Sequence, residues 1–132
     1  MAVLDFTINQ RSPYANGREF GAVGEYEQID GLLSFAVDPS AKENSKIVDL
    51  QLAQRADGGK VHFTADFSVV VPKDPHHGNS TAIVELPNRG RRRVVPVLNR
   101  APASAPVSRE AHPGDGFLFE RGFTVASLGW QW

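Results

Sequence analysis

The sequence predicts a strand-rich α/β fold in which antiparallel strands lead into a β-loop-α-β unit. In the first 80 residues, apolar and polar side chains alternate with a period of two, as in strands with one wet face. From residue 81 onward, two segments (82–84 and 123–128) are instead apolar on both faces, which suits strands covered on both sides. Residues 87–122 join them, and a connection of this length is what a parallel pair requires.

Strand signals begin near the N-terminus. Residues 4–8 alternate apolar and polar side chains and predict a half-buried strand. Residues 26–37 predict a strand pair or one bent strand, interrupted at Asp30-Gly31, a dipeptide suited to a tight hairpin. Residues 48–52 alternate again and predict another strand.

The clearest strand pattern covers residues 61–71. Six apolar side chains fall on one face of this strand, which is therefore the expected core face. They are Val61, Phe63, Ala65, Phe67, Val69 and Val71. The polar side chains between them, including Ser68, are expected to face solvent.

The connection between the two apolar segments is expected to hold one short helix. Asp115 can cap a helix over residues 115–120, and Gly122 lies just past its end. The prolines within 101–106 exclude a helix there.

Composition excludes several classes of protein. The chain of 132 residues has 41% hydrophobic residues and no cysteine, which excludes disulfides, thiolate metal sites and a cysteine nucleophile. No run approaches the roughly 20 apolar residues of a membrane-spanning helix, and no secretory signal is visible. We therefore expect a cytoplasmic protein without a membrane partner.

Charge is unevenly distributed along the chain. Residues 1–88 carry 7 basic and 12 acidic side chains, whereas residues 89–132 carry 7 basic and 3 acidic ones. Most of the positive excess comes from five arginines, which are Arg89, Arg91, Arg92, Arg93 and Arg100. No aromatic residue or known motif accompanies this arginine run, so nucleic-acid binding is not expected. A solvated loop, or a face that pairs with acidic parts of a missing remainder of the chain, is the expectation.

Common catalytic and cofactor motifs are missing from the sequence. It contains no Gly-x-Ser-x-Gly, no His-Glu-x-x-His, no P-loop and no Gly-x-Gly-x-x-Gly. His76 and His77 have no carboxylates at ligand spacing, and adjacent strand residues point to opposite faces, so a surface turn is expected. We assign no catalytic residue, no metal and no cofactor to this chain.

Asn88-Arg89-Gly90 is the sharpest candidate site. It directly follows a buried-type strand, where backbone N–H groups lose their ladder partners. Such groups can stabilise an oxyanion, and Gly90 would let the backbone approach a substrate closely. The alternative, a plain turn that ends a strand, is favoured by the residue types alone.

Several stretches together resemble one family. They are residues 20–31, 35–39, 44–53, 88–90, 116–118, 121–122 and 129–132, and they span nearly the whole chain. The chain resembles the N-terminal region of bacterial α/β-hydrolase domain-containing proteins, esterases several hundred residues long. The resemblance implies the front part of an α/β-hydrolase sheet, truncated before the catalytic serine.

The resemblance also implies roles for particular residues. Asn88, Arg89 and Gly90 would form the oxyanion loop, and Trp130 and Trp132 would form a wall of the pocket for a small ester substrate. The serine, the acid and the histidine would come later in the chain, in that order. The whole chain, 1–132, would then be one incomplete domain, with an antiparallel part (1–80) and the start of the parallel sheet (81–132).

Two other interpretations remain open. One is a non-catalytic β-rich binding or accessory domain, and the other is a genuinely short product that persists by associating with another chain. The two buried-type strands, 81–86 and 123–130, would lie at an open sheet edge. Unpaired apolar edges favour self-association.

Overall fold

The computed structural model describes residues 2–56, 58–87, 91–102 and 110–129. These residues form a six-stranded sheet. The strands are β1 (Ala2–Pro13), β2 (Glu19–Phe20), β3 (Gly24–Val37), β4 (Val61–Pro72), β5 (Ala82–Glu85) and β6 (Thr124–Gly129). One short α-helix, α1 (Val94–Leu98), lies in the connection between β5 and β6.

The strands run in the order β1-β3-β4-β6-β5, and β2 pairs with the start of β3. Every pairing is antiparallel except that of β5 with β6, which is parallel. The last strand in the chain, β6, therefore lies between β4 and β5. Of the two segments expected at an open edge, β6 is internal and β5 is at the edge.

The predicted α/β fold class is wrong. The two strands of the predicted β-loop-α-β unit do pair in parallel, but α1, the longest helix in the described ranges, has only five residues. The described part of the chain also contains no helix long and apolar enough to cross a bilayer. The molecule is a mixed, strand-rich sheet.

The helix expected over residues 115–120 is replaced by a tight turn. Gly114 and Gly116 adopt φ angles of 60° and 86°, which a right-handed helix does not tolerate. Only a 3₁₀ turn, Phe119–Arg121, forms after them. Gly122 ends this turn in the left-handed region, at φ 75°, as its position in the sequence predicted.

Asp30-Gly31 is not a hairpin but lies in the middle of β3. β1 pairs along nearly the whole of β3, so the strand continues through the dipeptide, with a register irregularity in β1 opposite it, between Ile8 and Gln10. A side chain at Gly31 would meet the carbonyl oxygen of Thr7 and, at 2.6 Å, the ring of Phe67. Glycine is therefore required here for the close approach of neighbouring groups.

The strand expected over residues 48–52 is also wrong. The segment folds as turns that end in the 3₁₀ turn Leu50–Leu52. Val48 and Leu52 are each 83% exposed, and Leu50 alone of the three apolar residues is buried. The alternation covers only five residues, and just one of its three apolar side chains is buried, so it carried no information about pairing.

The core lies on one face of the sheet and is built on four aromatic side chains. The ring centroid of Phe119 lies 5.1 Å from those of Tyr14, Phe20 and Tyr26. The Tyr14 hydroxyl donates to the Ala111 carbonyl oxygen at 2.8 Å, and the Tyr26 hydroxyl donates to the Phe119 carbonyl oxygen at 2.9 Å. The N-terminal part of the chain, through Tyr14 and Tyr26, is thus packed directly against the connection between β5 and β6.

This core face includes only the C-terminal half of the side of β4 that was expected to be wet. Ser68 is 1% exposed, and Val70 joins the aromatic core. The opposite side of β4 is apolar as predicted, and Phe67 stacks on Phe6 there with ring centroids 4.5 Å apart. Several large apolar side chains on that side stay exposed, namely Val3, Phe6, Ile8, Phe63 and Val84. Alternation located β4 correctly, and His62, Thr64 and Asp66 are exposed as predicted, but Ser68 on the same side is buried.

Candidate functional site

The candidate site lies where β5 and β6 end side by side. The parallel register runs from Ala82 opposite Thr124 to Glu85 opposite Ser127. In sheets with parallel strands, ligands bind beyond the carboxyl ends of the strands. The sequence candidates Asn88, Arg89, Gly90, Trp130 and Trp132 follow these two ends in the chain, and all five lie outside the described residues.

Glu85, the last residue of β5, is the centre of a hydrogen-bond network. Ser127 donates its hydroxyl to Glu85 Oε1 at 2.6 Å. The backbone N–H groups of Arg93 and Val94 donate to Glu85 Oε2 at 2.8 and 3.0 Å. The carboxylate, in a residue that is 9% exposed, therefore joins the end of β5 to β6 and to the start of α1. Bonds of this length to a carboxylate are charge-assisted and stronger than neutral ones.

A row of polar side chains crosses the sheet at this level. Asp30 lies opposite Ser68, Ser68 lies opposite Ser127, and Ser127 lies opposite Glu85. Residues directly opposite each other on paired strands present their side chains on the same face. The row therefore runs across four strands on the core face of the sheet, from β3 to β5.

Arg92 brings a buried positive charge to this row. The residue is 2% exposed, and burial lowers the pKa of its guanidinium, while the charges of Asp30 and Glu85 oppose that shift. The sequence interpretation of the arginine run as a solvated loop is therefore wrong at Arg92. Arg91 and Arg93 on either side are exposed as expected.

Two polar atoms beside the row have spare hydrogen-bonding capacity. Gln28 donates from Nε2 to both carboxylate oxygens of Asp30, at 3.0 and 2.8 Å. Within the described ranges, Gln28 Oε1 and Ser68 Oγ are buried and have no hydrogen-bond partner. Buried polar atoms are usually satisfied, so these two are exceptions in this part of the sheet.

In this row Glu85 accepts hydrogen bonds from backbone N–H groups, and the other polar side chains can also form hydrogen bonds. It combines two carboxylates, a guanidinium and two hydroxyls, and neither Ser68 nor Ser127 is hydrogen-bonded to a histidine in the described part of the chain. No three His, Asp or Glu side chains among the described residues come together as a metal site.

The histidine pair lies elsewhere. His76 and His77 belong to a 3₁₀ turn, Pro75–His77, at the surface. The Asp74 carboxylate accepts the His76 N–H at 2.9 Å and caps this turn, and His77 Nδ1 lies 3.3 Å from the carbonyl oxygen of Val23. The predicted surface turn is confirmed.

The sequence reasoning missed the polar row itself. The available signal was Glu85, a carboxylate in the otherwise apolar stretch 82–86, where an acidic side chain must find partners.

Comparisons with known proteins return no match: no protein-family model, no curated protein and no solved structure matches this chain.

Proposed function

We propose that this chain contributes an oxyanion loop and a wall of the substrate pocket to a serine-hydrolase-type esterase acting on carboxylic esters or related acyl substrates. The observation that carries the proposal is the parallel pairing of β5 with β6. This pairing ends both strands at one edge of the sheet. Residues 88–90 follow one strand end and residues 130–132 follow the other, so the proposal assigns both candidate segments to one site.

In this proposal the chemistry is divided between this chain and later residues of a longer protein. A serine attacks the ester carbonyl, a histidine takes the serine proton and later returns it to the leaving alcohol, and an acid orients the histidine. Backbone N–H groups at residues 88–90 donate to the oxyanion that forms. Trp130 and Trp132 supply apolar surface to the acyl pocket.

The buried polar row supports the site and takes no part in bond breaking. Glu85 and Arg92 flank the segment that contains residues 88–90, and both are buried. Donors that stabilise an oxyanion are effective when they are held rigidly before the reaction. A network of short hydrogen bonds at the base of the loop suits that requirement.

Kinetics of two variants test the proposal in the protein that contains this chain and the downstream residues. Gly90→Val should lower kcat by about a hundred-fold or more, because a side chain would push an oxyanion donor away from the carbonyl. Arg91→Ala, at the next position and with an exposed side chain, is the matched control and should change kcat little. Equal small effects at both positions, with unchanged melting temperatures, would make residues 88–90 an ordinary turn.

A second candidate is a non-catalytic β-rich binding or accessory domain. The observation that favours it is the set of exposed apolar side chains on the face of the sheet opposite the core, among them Phe6 and Phe63. Patches of this kind mark interaction surfaces, and the edge strand β5 offers a further route to self-association. Measurable ester turnover that depends on Gly90 would rule this candidate out.

A further inference from the structure

We infer that the apolar face of the sheet opposite the core is the interface of a symmetric homodimer, in which this face of one chain packs on the same face of a second copy. Such a dimer does not depend on the esterase proposal. It deepens the second candidate function, because a second copy of the chain is then the partner that the exposed apolar side chains bind.

Strand register places the apolar side chains of this face in four rows across the sheet. Residues directly opposite each other on paired strands present their side chains on the same face. Phe67 of β4, for example, lies opposite Gly31 of β3 and Leu128 of β6. The rows are Val3-Phe35-Phe63, Phe6-Leu33-Ala65, Ile8-Gly31-Phe67-Leu128 and Ile29-Val69-Ala126-Val84. The apolar face is therefore continuous from β1 to β5.

No residue in these four rows is charged, and the nearest charges in the register lie at one edge of the face. Arg11, opposite Ile29, forms an ion pair with Glu27 at 3.0 Å, so this edge carries no net charge. In a two-fold symmetric contact a patch meets its own copy, and a charged centre would therefore face like charges. An uncharged centre with a paired, polar rim is the anatomy of homodimer interfaces and makes this face complementary to itself.

The exposed apolar area is large enough for a dimer. Phe6 is 54% and Phe63 is 41% exposed, so the two side chains together leave about one phenylalanine, roughly 150–250 Å², in contact with solvent. Val3, Ile8 and Val84 are each more than two-fifths exposed. The five side chains offer on the order of 500 Å², which matches the apolar share, about 65%, of the roughly 800 Å² that each partner contributes to a standard interface.

The aromatic side chains of this face are already ordered by stacking within one chain. The ring centroids of Phe6 and Phe67 lie 4.5 Å apart, and those of Phe35 and Phe63 lie 4.8 Å apart with nearly parallel planes. Association then costs little side-chain entropy at these positions. Preorganised aromatic side chains are typical of the residues that contribute most of the binding energy in an interface.

Sedimentation velocity on the purified chain tests the dimer. The wild-type chain should be a dimer at about 100 μM and should dissociate on dilution. Phe63→Glu should raise the dissociation constant by about a hundred-fold or more, because a symmetric dimer would bury two unpaired charges. Phe63 lies on the central strand β4, so this change leaves both edges of the sheet intact. Val84→Glu, at the other side of the face, should also weaken the dimer, and it replaces Phe63→Glu if circular dichroism shows that variant to be unfolded.

Phe117→Glu is the matched control, because Phe117 is 42% exposed but its neighbours Leu118 and Phe119 lie in the core on the opposite face. This variant should dimerise like the wild type. A wild-type chain that stays monomeric at about 100 μM would overturn the inference. So would a dimer that persists in both face variants, an equal loss in Phe117→Glu, or oligomers that keep growing with concentration, as edge-to-edge pairing through β5 would give. Sedimentation measures assembly and not ester turnover, so none of these outcomes bears on the proposed esterase.

Discussion

Tyr14 shows how a single residue joins distant parts of the chain. Its ring lies in the aromatic core, and its hydroxyl donates to the Ala111 carbonyl oxygen at 2.8 Å. Burial raises the pKa of this phenol well above its ordinary value of 10.0, because the phenolate would lose its hydration. Tyr26 is also buried, and its pKa is raised for the same reason. Both side chains therefore stay protonated in the folded protein.

Alkaline pH should destabilise the fold through Tyr14. Because the pKa in the folded state is raised, its contribution to stability is complete below pH 10 and falls as the pH rises above 10. The loss should be about 1.4 kcal/mol per pH unit for this group. Urea unfolding at pH 8 to 11 measures it. Tyr14→Phe should be less stable at pH 8, through the lost hydrogen bond, and less dependent on pH above 10. Identical slopes above pH 10 in the two proteins would contradict this assignment.

Residue types anticipated some local features and missed others. Gly122 was predicted to lie just past the end of a helix; it instead follows a 3₁₀ turn, with the positive φ that such a position favours. Arg92 was expected in solvent and is buried. Its guanidinium feels the charges of Asp30, from a distant part of the chain, and of Glu85, and a run of arginines has no local signal that singles out one of them.

Among the elements, the pairing of β1 with β3 depends on the missing side chain of Gly31. The Phe67 ring and the Thr7 carbonyl occupy the space where a Cβ would lie. Phe67 in turn stacks on Phe6 of β1. The glycine, the ring and the edge strand form one packing unit.

Replacing Gly31 should loosen this unit. Gly31→Ala should lower the free energy of unfolding by about 1–3 kcal/mol, because the added methyl group must displace the Phe67 ring or the β1 backbone. Gly78→Ala is the control, since Gly78 has an ordinary φ of −73° and its closest neighbour would lie 3.3 Å from the new Cβ. Chemical unfolding measures both. A loss at Gly78 as large as that at Gly31 would argue against the packing unit.

Strands were easier to predict than the segments between them. The long alternation over residues 61–71 identified β4, and the length of the connection indicated that β5 and β6 pair in parallel. Their apolar character suggested strands covered on both sides, but Val84 of β5 is 66% exposed. The helix did not form because Gly114 and Gly116 adopt positive φ, which the sequence allows but does not impose. The predicted strand over residues 48–52 was wrong because no other strand pairs with this segment in the described chain.

At the scale of the whole molecule, the insertion of β6 between β4 and β5 creates the candidate site. It sets Ser127 between Ser68 and Glu85 and so completes the polar row. No local pattern predicts this row, because its members come from four strands whose order is decided by the assembled sheet. The sequence located the strand ends near the site but not the side chains that meet there.

The central claim is that β5 and β6 are parallel neighbours in the register that sets Glu85 against Ser127, and disulfide trapping tests it most directly. The chain has no cysteine, so a designed pair is unambiguous. Val84→Cys combined with Ala126→Cys joins register partners and should form a disulfide under mild oxidation, as counted by thiol titration. Val84→Cys combined with Leu128→Cys is offset by two residues, about 7 Å along the strand, and should stay reduced. Cross-linking of the offset pair, with the register pair reduced, would contradict the claim.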